Sequence, residues 1–254
     1  MKKMGLALFF LTAIFSCSKE KYFDGPDFYQ DDFESYNQPE DLLLDDDVLW
    51  SYTQLTMPAN NIVVDSTFAH NGTRSLKFNA TKSNSETVSK ASIAKQKMAF
   101  WENETVRLTA WYYLQGNDDL EWLFLMDLEE QATIGAGPGM RIAMVNNQLR
   151  IEHKFLENDI VQDASTAIDF PRNQWVEIRC EVKLSRKHKG TVKLWQDGQL
   201  IIDAKERVTL PKDILYFQLG TKGMYSSCEI GITANSKDND LVLWVDDVKF
   251  EKVD

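Results

Sequence analysis

The chain is poor in the residues that carry most nucleophilic and metal chemistry: it has three cysteines and three histidines among 254 residues. His70, His153 and His188 are scattered, and His153 shares an alternating face with Leu149, Ile151 and Phe155, which marks it as a core or wall residue rather than a base. Beyond Cys17, only Cys180 and Cys228 remain, and they read as small apolar residues buried in strands, the alternative being a disulfide between them in an oxidising compartment. Long apolar runs are missing too. The stretch Leu6–Phe15 is too short to span a bilayer. Cations are outnumbered, 28 to 39, and the net charge of −11 excludes nucleic acid and anionic lipid surfaces as partners. No internal repeat, low-complexity block or convincing amphipathic helix is present. Gly135-Ala-Gly-Pro-Gly139 lacks the Lys-Ser/Thr that a phosphate loop requires, and nothing else points to an organic cofactor.

The N-terminus is organised. Met1-Lys2-Lys3 is a short positive region, Leu6–Phe15 an apolar core, and Ala13-Ile14-Phe15-Ser16-Cys17 ends it with a small residue before a cysteine. This resembles the lipobox of bacterial lipoproteins, with Ile14 in place of the usual leucine. The resemblance implies a signal peptide over residues 1–16 and acylation of Cys17. Removal of residues 1–16 takes away two lysines and no acids, which lowers the net charge from −11 to −13. Residues 17–30 are polar, contain Gly25-Pro26, and read as a lipidated tether. The charged run Ser18-Lys-Glu-Lys21 is of a kind common in lipoproteins facing outward from the outer membrane.

From Asp31 to Asp254 the signals are strands and turns. Val106, Leu108, Ala110, Tyr112 and Leu114 alternate with polar or aromatic neighbours, as do Val176, Ile178, Cys180, Val182 and Leu184. A period of two is what a half-buried antiparallel strand needs. Asn146-Asn147 and Asp197-Gly198 each separate two such runs and predict two-residue hairpins, whose central positions need positive φ. Leu241–Glu251 predicts a closing strand. Glu86–Met98 fits a short helix or a strand equally well. The pattern predicts an all-β sandwich or jelly roll of two antiparallel sheets.

Several segments then fall into line: Asp32-Phe33-Glu34-Ser35-Tyr36, Trp50, His70-Asn-Gly-Thr-Arg-Ser-Leu-Lys-Phe78, Trp175-Val-Glu-Ile178, Lys189–Gly198, Leu215-Tyr-Phe-Gln-Leu-Gly220 and Leu243-Trp-Val-Asp-Asp-Val-Lys-Phe250. Together they resemble the concanavalin A-like jelly roll of the laminin-G, lectin and polysaccharide-lyase group, most closely the heparin lyase I and glucuronan lyase type. The resemblance covers most of residues 31–254. It implies a structural Ca²⁺ between the first and last strands, with Glu34, Asp246 and Asp247 as ligands and carbonyls near Asn71-Gly72 completing an oxygen shell.

The resemblance also implies where lyase chemistry belongs: an Arg-x-Glu strand, a Gln-x-His strand and a late Lys/Tyr pair. Here Ser89-Lys90-Ala91-Ser92 stands at the first, so Lys90 replaces the arginine fork. Leu125-Met126-Asp127-Leu128-Glu129 stands at the second, without histidine. The third is reduced to Lys222 and Tyr225. Asp127 and Glu129 share a strand face but lack the third acid of a glycosidase strand. For sugar binding, aromatic faces and a planar cation are wanted, which selects Trp111, Tyr113, Trp122, Trp195 and Arg141. The expected function is polysaccharide or oligosaccharide binding on the concave face of a surface lipoprotein. The alternatives are β-elimination of a uronate glycan and adhesion without sugar.

Overall fold

The computed structural model describes residues 25–129, 139–153, 158–210 and 224–253. In chain order the strands are β1 Phe28–Asp31, β2 Tyr52–Leu55, β3 Asn61–Asp65, β4 Ser75–Ala80, β5 Ser89–Lys95, β6 Phe100–Trp101, β7 Thr105–Leu114, β8 Trp122–Glu129, β9 Gly139–Val145, β10 Gln148–His153, β11 Trp175–Lys183, β12 Gly190–Gln196, β13 Gln199–Arg207, β14 Met224–Tyr225, β15 Ser227–Asn235 and β16 Leu241–Val253. A single 3₁₀ turn, Pro39–Leu43, is the helical element among the described residues.

The strands form two main antiparallel sheets. One has eight strands in the order β13-β12-β11-β7-β16-β4-β3, with β1 also paired to β16. The other has six, in the order β10-β9-β8-β15-β5-β2. The two sheets share one core. Val106, Leu108, Ala110, Tyr112 and Leu114 of β7 are all buried in it, as are Val176, Ile178, Cys180 and Val182 of β11. Facing them from the second sheet are Leu123 and Leu128 of β8, Ile142 of β9, Ile93 of β5 and Cys228 and Ile230 of β15. The two cysteines are free and buried in opposite sheets. Burial raises both thiols, that of Cys180 to about 12.

Both predicted hairpins form. Asn146 and Asn147 have φ of 49° and 63°, and Asp197 and Gly198 have 47° and 75°. The ambiguous segment after Glu86 is the strand β5, since Ala91 and Ile93 face the core while Lys90 and Ser92 point away. Regular structure begins before Asp31. β1 begins at Phe28 and pairs with Val248–Glu251, and Asp31 at its end accepts hydrogen bonds from Tyr29, Tyr36 and the Trp50 indole.

Candidate active site

The outward face of the six-stranded sheet is unusually polar. A β-bulge in β8 between Phe124 and Met126 is the local reason. It buries the adjacent pair Leu125 and Met126 together, so that Trp122 and Phe124 before it and Asp127 and Glu129 after it all face away from the core. Cross-strand register then brings partners beside Asp127: Arg141 of β9 on one side and Glu229 of β15 on the other. Glu229 in turn opposes Ala94 of β5, which opposes Tyr52 of β2.

Three carboxylates thus share one patch, and two of them are well hidden: Asp127 is 3% exposed and Glu229 2%. Glu229 accepts a short hydrogen bond from the Ser92 hydroxyl and a long one, 3.5 Å, from the Gln54 amide. Gln54 also accepts from the Lys90 ammonium at 2.9 Å. Arg141 binds Asp127 through Nε at 3.0 Å and lies over the Phe124 ring at 4.2 Å. Phe124 packs beside Trp122 with ring centres 4.8 Å apart. Burial first, and then the neighbouring Asp127 charge, hold Glu229 and Glu129 well above the usual carboxylate range, against the pull of Lys90 on both. Burial and the nearby Glu229 charge raise the Tyr52 hydroxyl as well. Ionisable groups pushed off their ordinary values and gathered on one face make it the candidate site.

A family model described as polysaccharide lyase matches residues 46–249. The chain belongs to the polysaccharide lyase family. Three solved structures share its fold. An endo-β-1,4-glucuronan lyase from the fungus Trichoderma reesei superposes with a TM-score of 0.65 at 15% identity, covering 80% of this chain and 91% of that one. Alginate lyase Aly36B gives 0.62 at 9% identity, with 91% and 98% covered. The cellulose-induced protein Cip1 gives 0.61 at 18% identity, with 87% and 96% covered. No match was found among the curated proteins.

Within this polysaccharide lyase fold the sequence-derived candidates divide. Lys90, Trp122 and Arg141 come together with the acids on the six-stranded sheet. Trp111, Tyr113 and Trp195 do not. They stand on β7 and β12, on the outward face of the eight-stranded sheet, across the sandwich from the acids. There Trp111 stacks on His70 at 3.7 Å, Tyr113 packs against Phe68, Trp175 and Trp244, and Trp195 lies under Arg179. Alternation tells which side of a strand is apolar but not which sheet the strand joins, so it does not place these aromatics relative to the acids. Tyr225 is fully buried, and its hydroxyl donates to the Thr209 carbonyl at 2.8 Å. Lys222 and Cys17 lie outside the described residues.

The expected Ca²⁺ ligands do meet one loop, residues 70–74, but they meet its N–H groups. Glu34 accepts from the Thr73 and Arg74 amides and the Thr73 hydroxyl, each at 2.7 Å. Asp246 accepts from the amides of His70, Asn71 and Asp247, and Asp247 binds His70 Nδ1 at 2.7 Å. A hard cation needs oxygens on every side, and this donor set does not fit one. Among the described residues, the acids whose oxygens do gather are the exposed Asp45, Asp46 and Asp47.

Sequence reasoning missed Tyr52, Gln54 and Glu229. For Glu229 a signal exists: it is the one charged residue in the otherwise apolar and small run Met224–Asn235.

Proposed function

We propose that the chain cleaves a uronate-containing polysaccharide by β-elimination on the outward face of its six-stranded sheet. The observation that carries this reading is the set of acids Glu129 and Glu229, raised far above their ordinary range and lodged beside Lys90 on that face. Burying carboxyl groups costs stability, and such cost is characteristic of acid–base sites rather than of passive sugar-binding surfaces. Because Glu229 keeps its proton further up the pH scale, the patch is less anionic than three acids would suggest, and a uronate can approach it.

In the proposed reaction Glu129 takes the proton from C5 of the uronate. The C–H electron pair becomes the C4=C5 double bond, the C4–O bond breaks, and the proton passes to the departing oxygen. Lys90 offsets the charge that grows on the uronate as C5 loses its proton. A general base with a raised pKa is suited to this step near neutral pH.

The test is digestion of a panel of uronate polysaccharides, read by the ultraviolet absorbance of the unsaturated product. Glu129→Gln should lower turnover by roughly 10²- to 10⁴-fold, the usual worth of one acid–base group. Tight binding of a glycan with no product from any would replace this reading by glycan binding alone. The engagement of Lys90 by Gln54 and of Tyr225 by Thr209 favours that second reading. Neither binding nor turnover would leave adhesion without sugar.

The proposal extends to placement. The order of positive region, apolar core and Ser16-Cys17 supports a lipid anchor on Cys17, and the charged residues after it support an outward-facing position on the outer membrane.

A further inference from the structure

Arg141 has more donors than its neighbours use. A guanidinium carries five N–H groups in a rigid plane. In Arg141 the Nε group bonds Asp127 at 3.0 Å, and among the described residues neither Nη group makes a hydrogen bond. The plane rests on the Phe124 ring at 4.2 Å. The other acid in register with it, Glu152 of β10, is taken by Arg150 at 2.8 Å. Arg141 is therefore oriented at one edge, supported on one face and unspent at its outer fork. Its side chain is 16% exposed, enough for a ligand to reach the fork and little enough to weaken competition from water.

We propose that Arg141 is the carboxylate-recognition residue of this face, gripping a uronate carboxylate with both Nη groups while Asp127 and Phe124 hold it in place. This rests on the reading of the face as a polysaccharide site and names the residue that selects acidic sugars. Lys90 cannot supply the same geometry. It is a point charge, and its ammonium already donates to Gln54. A planar, two-pronged donor matches a planar carboxylate, and the bidentate pair is the stronger and more directional contact. Phe124 lies against the guanidinium and Trp122 packs on Phe124, so the pair would offer an apolar surface to the sugar ring that bears the acid.

The experiment measures binding by calorimetry in the Glu129→Gln background of the full chain. Two test ligands are compared, a uronate oligosaccharide and the same oligosaccharide with its carboxyls reduced to alcohols, with a sulfated neutral oligosaccharide as a control. The parent protein should prefer the uronate by about 10- to 100-fold, the range expected of a charge-assisted pair. Arg141→Ala should erase the preference. Arg141→Lys, which keeps the charge and the fold, should lose most of it. A preference left intact in Arg141→Lys and Arg141→Ala overturns the proposal, as does stronger binding of a sulfated neutral oligosaccharide than of the uronate. Equal binding of both test ligands by the parent protein also overturns it but leaves the polysaccharide reading standing. Binding of neither ligand removes the polysaccharide reading itself.

Discussion

Glu229 shows how burying a single acidic side chain costs stability. It sits in the most thoroughly buried strand of the sheet, with Ser92 and Gln54 as its hydrogen-bonding neighbours. An exposed glutamate ionises at about 4.5, whereas burial and the Asp127 charge hold this one far higher. Below the lower value both folded and unfolded chains keep the proton, and Glu229 has no effect on the balance between them. Above it the unfolded chain releases the proton while the folded chain retains it. Stability is therefore lost as pH rises toward the folded value. Glu229→Gln removes this penalty and keeps the shape. It should raise the melting temperature by several degrees at about pH 8 and by much less at about pH 5, with roughly 2–4 °C for each kcal/mol recovered. Calorimetric scans at both pH values check this, and an equal shift at both would contradict the origin given for it. The residue was hard to see in the sequence because an acid in an apolar strand is normally a surface exception. Only the cross-strand register with Asp127 makes it part of a site.

At the scale of elements, the bulges place the chemistry. β8 would present Asp127 and Phe124 on opposite faces if it kept a strict period of two. Its bulge puts both on the outward face, so that Arg141 can touch each of them. β15 has its own irregularity, and Gly231 within it adopts φ of 108°. A Cβ there would lie 2.8 Å from the Phe78 ring and 2.9 Å from the Ala91 carbonyl, both fixed parts of the core. Gly231→Ala should therefore destabilise the protein by about 2–4 kcal/mol, from backbone strain and overpacking together. Chemical denaturation would measure this, and a change below about 0.5 kcal/mol, within the range of ordinary surface substitutions, would show that the strand can relax. Regular stretches such as β7, β11 and the two hairpins were legible in the sequence, because each follows from alternation or from a turn that needs positive φ. The bulges were not, because one inserted residue leaves the composition unchanged and reverses the faces beyond it. The separation of Trp111 and Tyr113 from the acids has a related cause: alternation places them on the solvent side of β7 but does not say which sheet β7 joins.

For the whole molecule, the corner that ties the first and last strands together bears on metal dependence. Glu34 and Asp246 already have backbone N–H partners, and burial still raises Asp246 to about 6. A cation at this corner would have to displace those N–H groups. Treatment with EDTA followed by excess Ca²⁺ should leave the melting temperature unchanged, and a rise on adding Ca²⁺ would show that the loop turns its carbonyls inward to bind it. β1 belongs to the eight-stranded sheet, so the chain enters the fold on the layer opposite the one that bears the acids. Between Cys17 and Gly25 there are few residues, which span at most about 30 Å when extended. A lipid on Cys17 would hold the domain close to the membrane. Cys17→Ser should move the protein from the membrane fraction to the soluble fraction and leave its turnover of a dissolved polysaccharide unchanged. Loss of turnover on release would mean that the membrane takes part in the site, which a face on the opposite layer does not require.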